Sequence, residues 1–197
     1  MPETTNSKLS YSRIARRIRV PLGFVFAVVY LWLARPTWTS LAIGALVAVP
    51  GLGLRALAAG HVKKNTELTT TGPYAYTRNP LYLGSVIIAL GFGVASLNWW
   101  IAAGLLLLFF AIYLPVICSE EEYLRSAFPG FGNYAARVPR LFPRLAFTHT
   151  QKTETSPTQR VQFDGARYRR HREYNAVIGS ALLLAALAAK IVFHIRL

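Results

Sequence analysis

Gly72-Pro73-Tyr74-Ala75-Tyr76-Thr77-Arg78-Asn79-Pro80-Leu81-Tyr82-Leu83-Gly84 lies between two apolar runs, each long enough to enter a membrane. Gly72-Pro73 reads as a turn. Asn79-Pro80 reads as a helix start. Asn79 suits the N-cap, and Pro80 suits the first helical position, where its missing N–H costs nothing. The stretch therefore sets Tyr74, Tyr76, Arg78 and Tyr82 at the mouth of a membrane helix. Free backbone N–H groups and the positive end of the helix dipole lie beside them. Such a mouth suits a ligand with an anionic group and a flat ring. An aromatic belt, in which the tyrosines only anchor the protein at the interface, accounts for the same residues.

The composition agrees with a membrane setting. Of the 197 residues 53% are hydrophobic and only 15% are charged, and the mean hydropathy is +0.34. This length fits a single domain. The formal net charge is +14. The single cysteine, Cys118, excludes an intramolecular disulfide. Its place at the end of an apolar run allows palmitoylation, but free cysteines are usually buried small residues, and a buried position is expected. The four histidines, His61, His149, His171 and His194, lie far apart without metal-ligand spacing, so no metal is expected.

Taken in order, the chain predicts an all-α integral membrane protein with five transmembrane helices, at about 18–34, 38–59, 80–97, 98–117 and 175–195. Arg13, Arg16, Arg17 and Arg19 precede the first apolar run, which leads into further spans and so reads as an uncleaved start. Arg35-Pro36 ends that first span, which is near the short limit for crossing ~30 Å of hydrocarbon. Pro50 predicts a kink in the second span. Arg55 lies about one turn from the cytosolic end, to reach headgroups or turn inward to the ligand site. Gly91 and Gly93 suit close helix packing, and Trp99 and Trp100 mark the far interface. Glu120, Glu121 and Glu122 open a cytosolic segment over 118–143. Residues 144–174 read as a basic connector. Its run 166–174, beside a span, fits anionic lipid headgroups better than nucleic acid, at about 1 kcal/mol per basic residue near the surface.

Charge placement orients the chain. With the N-terminus in the cytosol, Arg35, Lys190 and Arg196 alone of the 22 basic residues lie at or near the outer side. The 61–82 loop and the 118–143 segment then share the cytosolic face, where soluble cofactors are found. No ionisable residue falls near the middle of a span, which disfavours a channel or transporter.

The order of the polar segments carries a family signal. Gly-Pro-Tyr-x-Tyr-x-Arg-Asn-Pro-x-Tyr-x-Gly over 72–84 is followed by a helical hairpin. Then come Glu120-Glu121-Glu122-Tyr123-Leu124, the aromatics Phe128 and Tyr134, and Val138-Pro139-Arg140 with Pro143. Over about 55–143 this resembles the isoprenylcysteine carboxyl methyltransferase and phospholipid methyltransferase superfamily of integral membrane enzymes. The resemblance implies a single membrane domain over 1–197. It implies S-adenosylmethionine as methyl donor, bound in a cytosolic cofactor pocket formed by the 61–82 loop and the 118–143 segment. The acceptor would be a lipid or prenylated small molecule entering from the bilayer, with no nucleic acid or metal involved.

Carried over position by position, the resemblance implies cofactor contacts at Glu67, Leu68, Thr69, Tyr74, Asn79, Pro80, Leu81, Tyr82 and Glu120. Glu120 would accept hydrogen bonds from the cofactor amine or ribose, and Tyr74 and Tyr82 would pack against the cofactor. Arg78 and Glu121 are the candidate catalytic residues. Arg78 would pair with the cofactor carboxylate or with Glu121, and Glu121 or a tyrosine would assist an amine acceptor in losing its proton. Two positions depart from the carboxyl-methylating pattern: Asn79 stands where a His is usual, and Val116 where the prenylcysteine enzymes carry an Arg. Asn at position 79 matches the phospholipid N-methylating branch. A membrane reductase using NADPH, of sterol-reductase type, and a non-enzymatic protein that keeps the fold are the competing readings.

Overall fold

A computed structural model describes residues 25–62, 67–143 and 163–193. The basic N-terminal run, Lys63 and Lys64, the connector over 144–162, His194 and Arg196 lie outside the described residues. So do the start of the first expected span and the end of the fifth. The described residues form helices without a strand. They are α1 (25–33), α2 (Trp38–His61), a 3-10 turn (Gly72–Ala75), α3 (Pro80–Ser96), α4 (Trp99–Ala127), α5 (Phe131–Arg137), α6 (Gly165–Arg170) and α7 (Tyr174–Val192).

Helix α2 begins on a reciprocal cap. Thr37 Oγ1 accepts from the Ser40 N–H at 3.1 Å, and Ser40 Oγ accepts from the Thr37 N–H at 3.0 Å. Ser40 Oγ also donates to Ala95 O at 3.1 Å, which fixes the start of α2 to the end of α3. From there the two helices run closely side by side. A Cβ at Gly44 would lie 2.5 Å from Gly91 O, and one at Gly51 would lie 2.7 Å from Gly84 O. Small residues on both faces let the backbones approach, as in membrane helix pairs. Gly91 is therefore a packing residue, and so is Gly93, whose added Cβ would stand 3.0 Å from Ala102 of α4.

One end of the bundle is closed by backbone contacts. The Arg35 N–H donates to Ser96 O at 2.8 Å, and Asn98 Nδ2 donates to Leu33 O at 3.1 Å. From α7, Lys190 Nζ donates to Leu31 O at 2.6 Å and Trp32 O at 3.1 Å. A cation is thereby placed on the last carbonyls of α1, where the helix dipole favours it. A core of Tyr30, Ala34, Phe92, Ala95, Ile101 and Leu187 lies just inside this end. The opposite end gathers the 67–80 segment, the end of α4, α5, α6 and the start of α7.

The outer faces are apolar, with Leu46, Leu107 and Leu182 among the exposed side chains. Helices α2, α4 and α7 are long and apolar enough to cross a membrane. Five such helices were expected. Among the described residues α3 is apolar but has only 17 residues, and α1 is described only over 25–33. A second difference concerns α4. The apolar run ends near Ile117, yet the helix continues to Ala127 through Pro115 and all three glutamates. Glu, Leu, Arg and Ala are good helix formers, and no breaker intervenes before Phe128-Pro129-Gly130. A third concerns Cys118, which is exposed rather than buried because it sits on the outer face of α4.

The α2–α3 contact makes a direct prediction. Gly44→Val should destabilise the detergent-solubilised protein by about 1–3 kcal/mol through overpacking. Gly53→Ala, whose Cβ would meet nothing within 4 Å, should leave the melting temperature unchanged or raised. Thermal unfolding of the two variants checks this.

Candidate active site

The two polar segments that the sequence singles out meet at one carboxylate. Glu121, on the last turns of α4, is only 5% exposed. Its Oε2 accepts from Arg140 Nε at 3.1 Å and Nη2 at 2.9 Å. Arg78 Nη1 stands 3.5 Å from the same oxygen. Its Oε1 accepts from Asn79 Nδ2 at 3.3 Å, and Asn79 Nδ2 also donates to Arg140 O at 2.9 Å.

Backbone bonds hold the same three stretches in register. The Arg78 N–H donates to Pro139 O at 2.9 Å, and Thr77 Oγ1 donates to Leu141 O at 2.8 Å. Tyr134 on α5 donates its hydroxyl to Tyr74 O at 2.7 Å. The Arg78 guanidinium lies over the buried Phe131 ring, 5.9 Å from its centroid. Arg140, Tyr134, Thr77 and Phe131 thus join the predicted residues. The Val138-Pro139-Arg140 motif was the available signal for Arg140. Nothing in the local sequence marks Thr77.

Asn79 occupies the N-cap position of α3, and Pro80 follows at the first helical position. The Asn79 side chain makes no cap bond to the helix; it is turned so that its Nδ2 donates to Glu121 and Arg140 O. Tyr82 donates its hydroxyl to Glu120 Oε1 at 3.1 Å, and its ring meets Tyr113 edge-on at 5.5 Å. Glu120 is exposed, one residue along the helix from buried Glu121. Tyr74, Thr69 and Pro80 are buried, and Glu67, Leu68 and Leu81 are half-buried. Tyr76, expected at the same mouth, is 65% exposed.

Burial pushes the Tyr74 phenol well above its usual value, and Tyr134, Glu120 and Glu173 add to the rise. Burial raises Tyr134 likewise, opposed by Arg78 and aided by Glu121. The hydrogen bond to Glu121 raises the Arg140 guanidinium. Of three buried side-chain atoms left without a partner among the described residues, Arg167 Nη1 is on α6 and the other two, Arg78 Nε and Thr71 Oγ1, are on the loop before α3. These two flank the site and suit an anionic or hydroxyl-bearing ligand. Among the described residues no three His, Cys, Asp or Glu side chains stand together to hold a metal ion.

This pairing of Arg-Asn-Pro with the Glu-Glu turn lies at one end of apolar helices. The sequence matches the phospholipid methyltransferase family over residues 19–130. The chain belongs to that family. The family sits within the isoprenylcysteine carboxyl methyltransferase-like group of integral membrane methyltransferases. The match takes in α1 to α4 and stops before Val138-Pro139-Arg140.

The chain is also 38% identical, over 125 residues, to the nickel-cobalt-cadmium resistance protein NccN of Alcaligenes xylosoxydans xylosoxydans. That alignment covers 59% of this chain and 57% of the relative. Over 93 residues it is 41% identical to the cobalt-zinc-cadmium resistance protein CzcN of Cupriavidus metallidurans, covering 47% of this chain and 43% of the relative. The chain thus spans about half the length of the curated relatives it matches. No solved structure matches it.

Two outcomes follow from the geometry. Glu121→Gln leaves the Arg78 side chain, only 12% exposed, without its counter-charge, and should cost about 3 kcal/mol. Arg140→Gln should cost markedly less, because the Arg140 side chain is 48% exposed and its pairing is screened. Denaturation of both variants in detergent would contradict this if the costs were equal. The second outcome concerns alkali. Tyr74 and Tyr134 have native values raised above the ordinary 10.0. The stability they confer is therefore full below about pH 10 and falls as the pH rises above it. Tyr134→Phe should lose about 1 kcal/mol at pH 8 with its bond to Tyr74 O. It should also show a shallower decline between about pH 10 and pH 11 than the wild type. Melting temperatures across that range are the readout.

Proposed function

We propose that this chain methylates a lipid or isoprenoid-linked acceptor held in the bilayer, with S-adenosylmethionine as donor. The observation that carries the reading is the meeting of Arg78-Asn79-Pro80 with Glu121 and Arg140 at one end of an apolar helical bundle. Family membership supports it. The residues present fit the donor. It has a carboxylate, an ammonium, a ribose and a flat ring, and supplies a methyl group on a sulfonium for in-line displacement.

In this proposal Glu120 accepts from the ammonium or a ribose hydroxyl. The unpartnered Arg78 Nε donates to the carboxylate. Tyr74 and Tyr82 give aromatic surface, and Glu67, Leu68, Thr69, Asn79, Pro80 and Leu81 line the pocket. The oxygens of Glu121 are taken by Arg140, Arg78 and Asn79, so its part is to hold Arg78 and Asn79 in place rather than to accept a proton. Alignment of acceptor and methyl contributes most of the rate, on the order of 7–11 kcal/mol of barrier.

In the proposed orientation the N-terminus and this site face the cytosol, and α1, α2, α3, α4 and α7 form five passes. The basic side chains Arg167, Arg169, Arg170 and Arg172, beside the start of α7, then meet anionic headgroups. The test is isothermal titration of detergent-purified protein with S-adenosylmethionine and, separately, with NADPH. Saturable S-adenosylmethionine binding is expected. Glu120→Gln should weaken it by about 1.5–3 kcal/mol, roughly 10- to 150-fold. NADPH binding in its place would overturn the proposal in favour of a reductase, and binding of neither would leave a non-enzymatic protein.

A further inference from the structure

The stretch from Phe163 to Tyr174 follows the end of the family match at residue 130. It nonetheless sits at the same end of the bundle as the candidate site, held at two points. Phe163 covers Gly60 so closely that a Cβ there would lie 2.3 Å from the Phe163 ring. The Asp164 N–H donates to Gly60 O at 3.2 Å. Asp164 then caps α6, its Oδ1 accepting from the Ala166 N–H at 2.8 Å.

The second point is an ion pair. Glu173 Oε2 accepts from Arg55 Nε at 3.0 Å and Nη2 at 2.7 Å. The side chains are only 13% and 23% exposed, respectively. The remaining nitrogen, Arg55 Nη1, donates to Leu81 O at 3.3 Å and to Ser85 Oγ. Gly84 makes room for this crossing, since a Cβ there would stand 2.6 Å from Arg55 Cγ. Arg55 therefore lies across the first turn of α3. The next residue after Leu81 is Tyr82, whose hydroxyl holds Glu120. Glu173 and Glu120 both act on the buried Tyr74 phenol, from opposite ends of this chain of contacts.

We infer that Glu173 is a positioning residue of the methyl-transfer site. Through Arg55 it fixes the first turn of α3, and with it the place at which Tyr82 and Glu120 meet the cofactor. Residues 163–174 are then a wall of the site rather than a plain link to α7. This rests on the proposed reading of the site as one that binds S-adenosylmethionine.

The experiment is titration of S-adenosylmethionine into the 197-residue wild type, Glu173→Gln, Glu173→Asp, Arg55→Gln, the double variant Arg55→Gln/Glu173→Gln and the charge swap Arg55→Glu/Glu173→Arg. Each melting temperature is measured alongside. Loss of either partner should weaken binding roughly 2- to 30-fold. The double variant should be no weaker than Arg55→Gln alone, because Glu173 acts through Arg55. The charge swap should recover part of the affinity, and Glu173→Asp should keep more of it than Glu173→Gln. Unchanged affinity in Glu173→Gln, or additive losses in the double variant, overturns the inference while the proposed function stands. No binding by folded wild type overturns both. If the single variants fail to fold, the charge swap decides: refolding without recovered affinity counts against a positioning role.

Discussion

The candidate site depends on the burial of one charge. The Glu121 carboxylate is removed from water at the end of a long apolar helix, and burial of an unpaired carboxylate is prohibitive. It is tolerated because two guanidinium groups and an amide, from two other parts of the chain, converge on it. The same requirement works in reverse. Arg78 and Asn79 on one side, and Arg140 on the other, have no other fixed anion among their described contacts. The carboxylate thus ties the loop before α3 to the segment after α5, and the backbone bonds from Arg78 and Thr77 complete the join.

That convergence needs helices whose ends coincide. The small residues along α2 and α3 bring the two backbones together, and the Lys190 and Asn98 contacts fix the far end. With one end closed by backbone acceptors, the other is left for polar side chains. A methyl-transfer site in this place would reach a water-soluble donor and a bilayer-held acceptor at once.

Much of this was legible in residues 72–93. Pro80 marks the start of α3, and Gly91 and Gly93 mark close packing, because proline and glycine act through local geometry that sequence reveals directly. The Arg78–Glu121 pair was also legible as one of two alternatives for Arg78. Other features depend on contacts between residues far apart in the chain. Asn79 has the chemistry of a helix cap, but its side chain is turned so that Nδ2 reaches a buried carboxylate from α4, and its oxygen makes no cap bond. The apolar run over 98–117 gives no sign that α4 continues to Ala127, because such a run reports apolar length and not where the helix ends. Cys118 was expected inside, yet faces out, since type preference does not fix which side of a helix a residue takes. Arg55 had two possible targets in sequence. Its actual partner, Glu173, is 118 residues away, and no periodicity encodes that.

Methyl transfer to a membrane acceptor is the proposal on which the rest turns. Its most direct measurement uses membranes containing the 197-residue chain, incubated with S-adenosylmethionine carrying a tritiated methyl group and then extracted into organic solvent. Label is expected in the extracted lipid above that from membranes lacking the chain, and the excess should be lost when Glu120→Gln replaces the wild type. Equal label with and without the chain, under conditions where the protein stays folded and the donor binds, would contradict it.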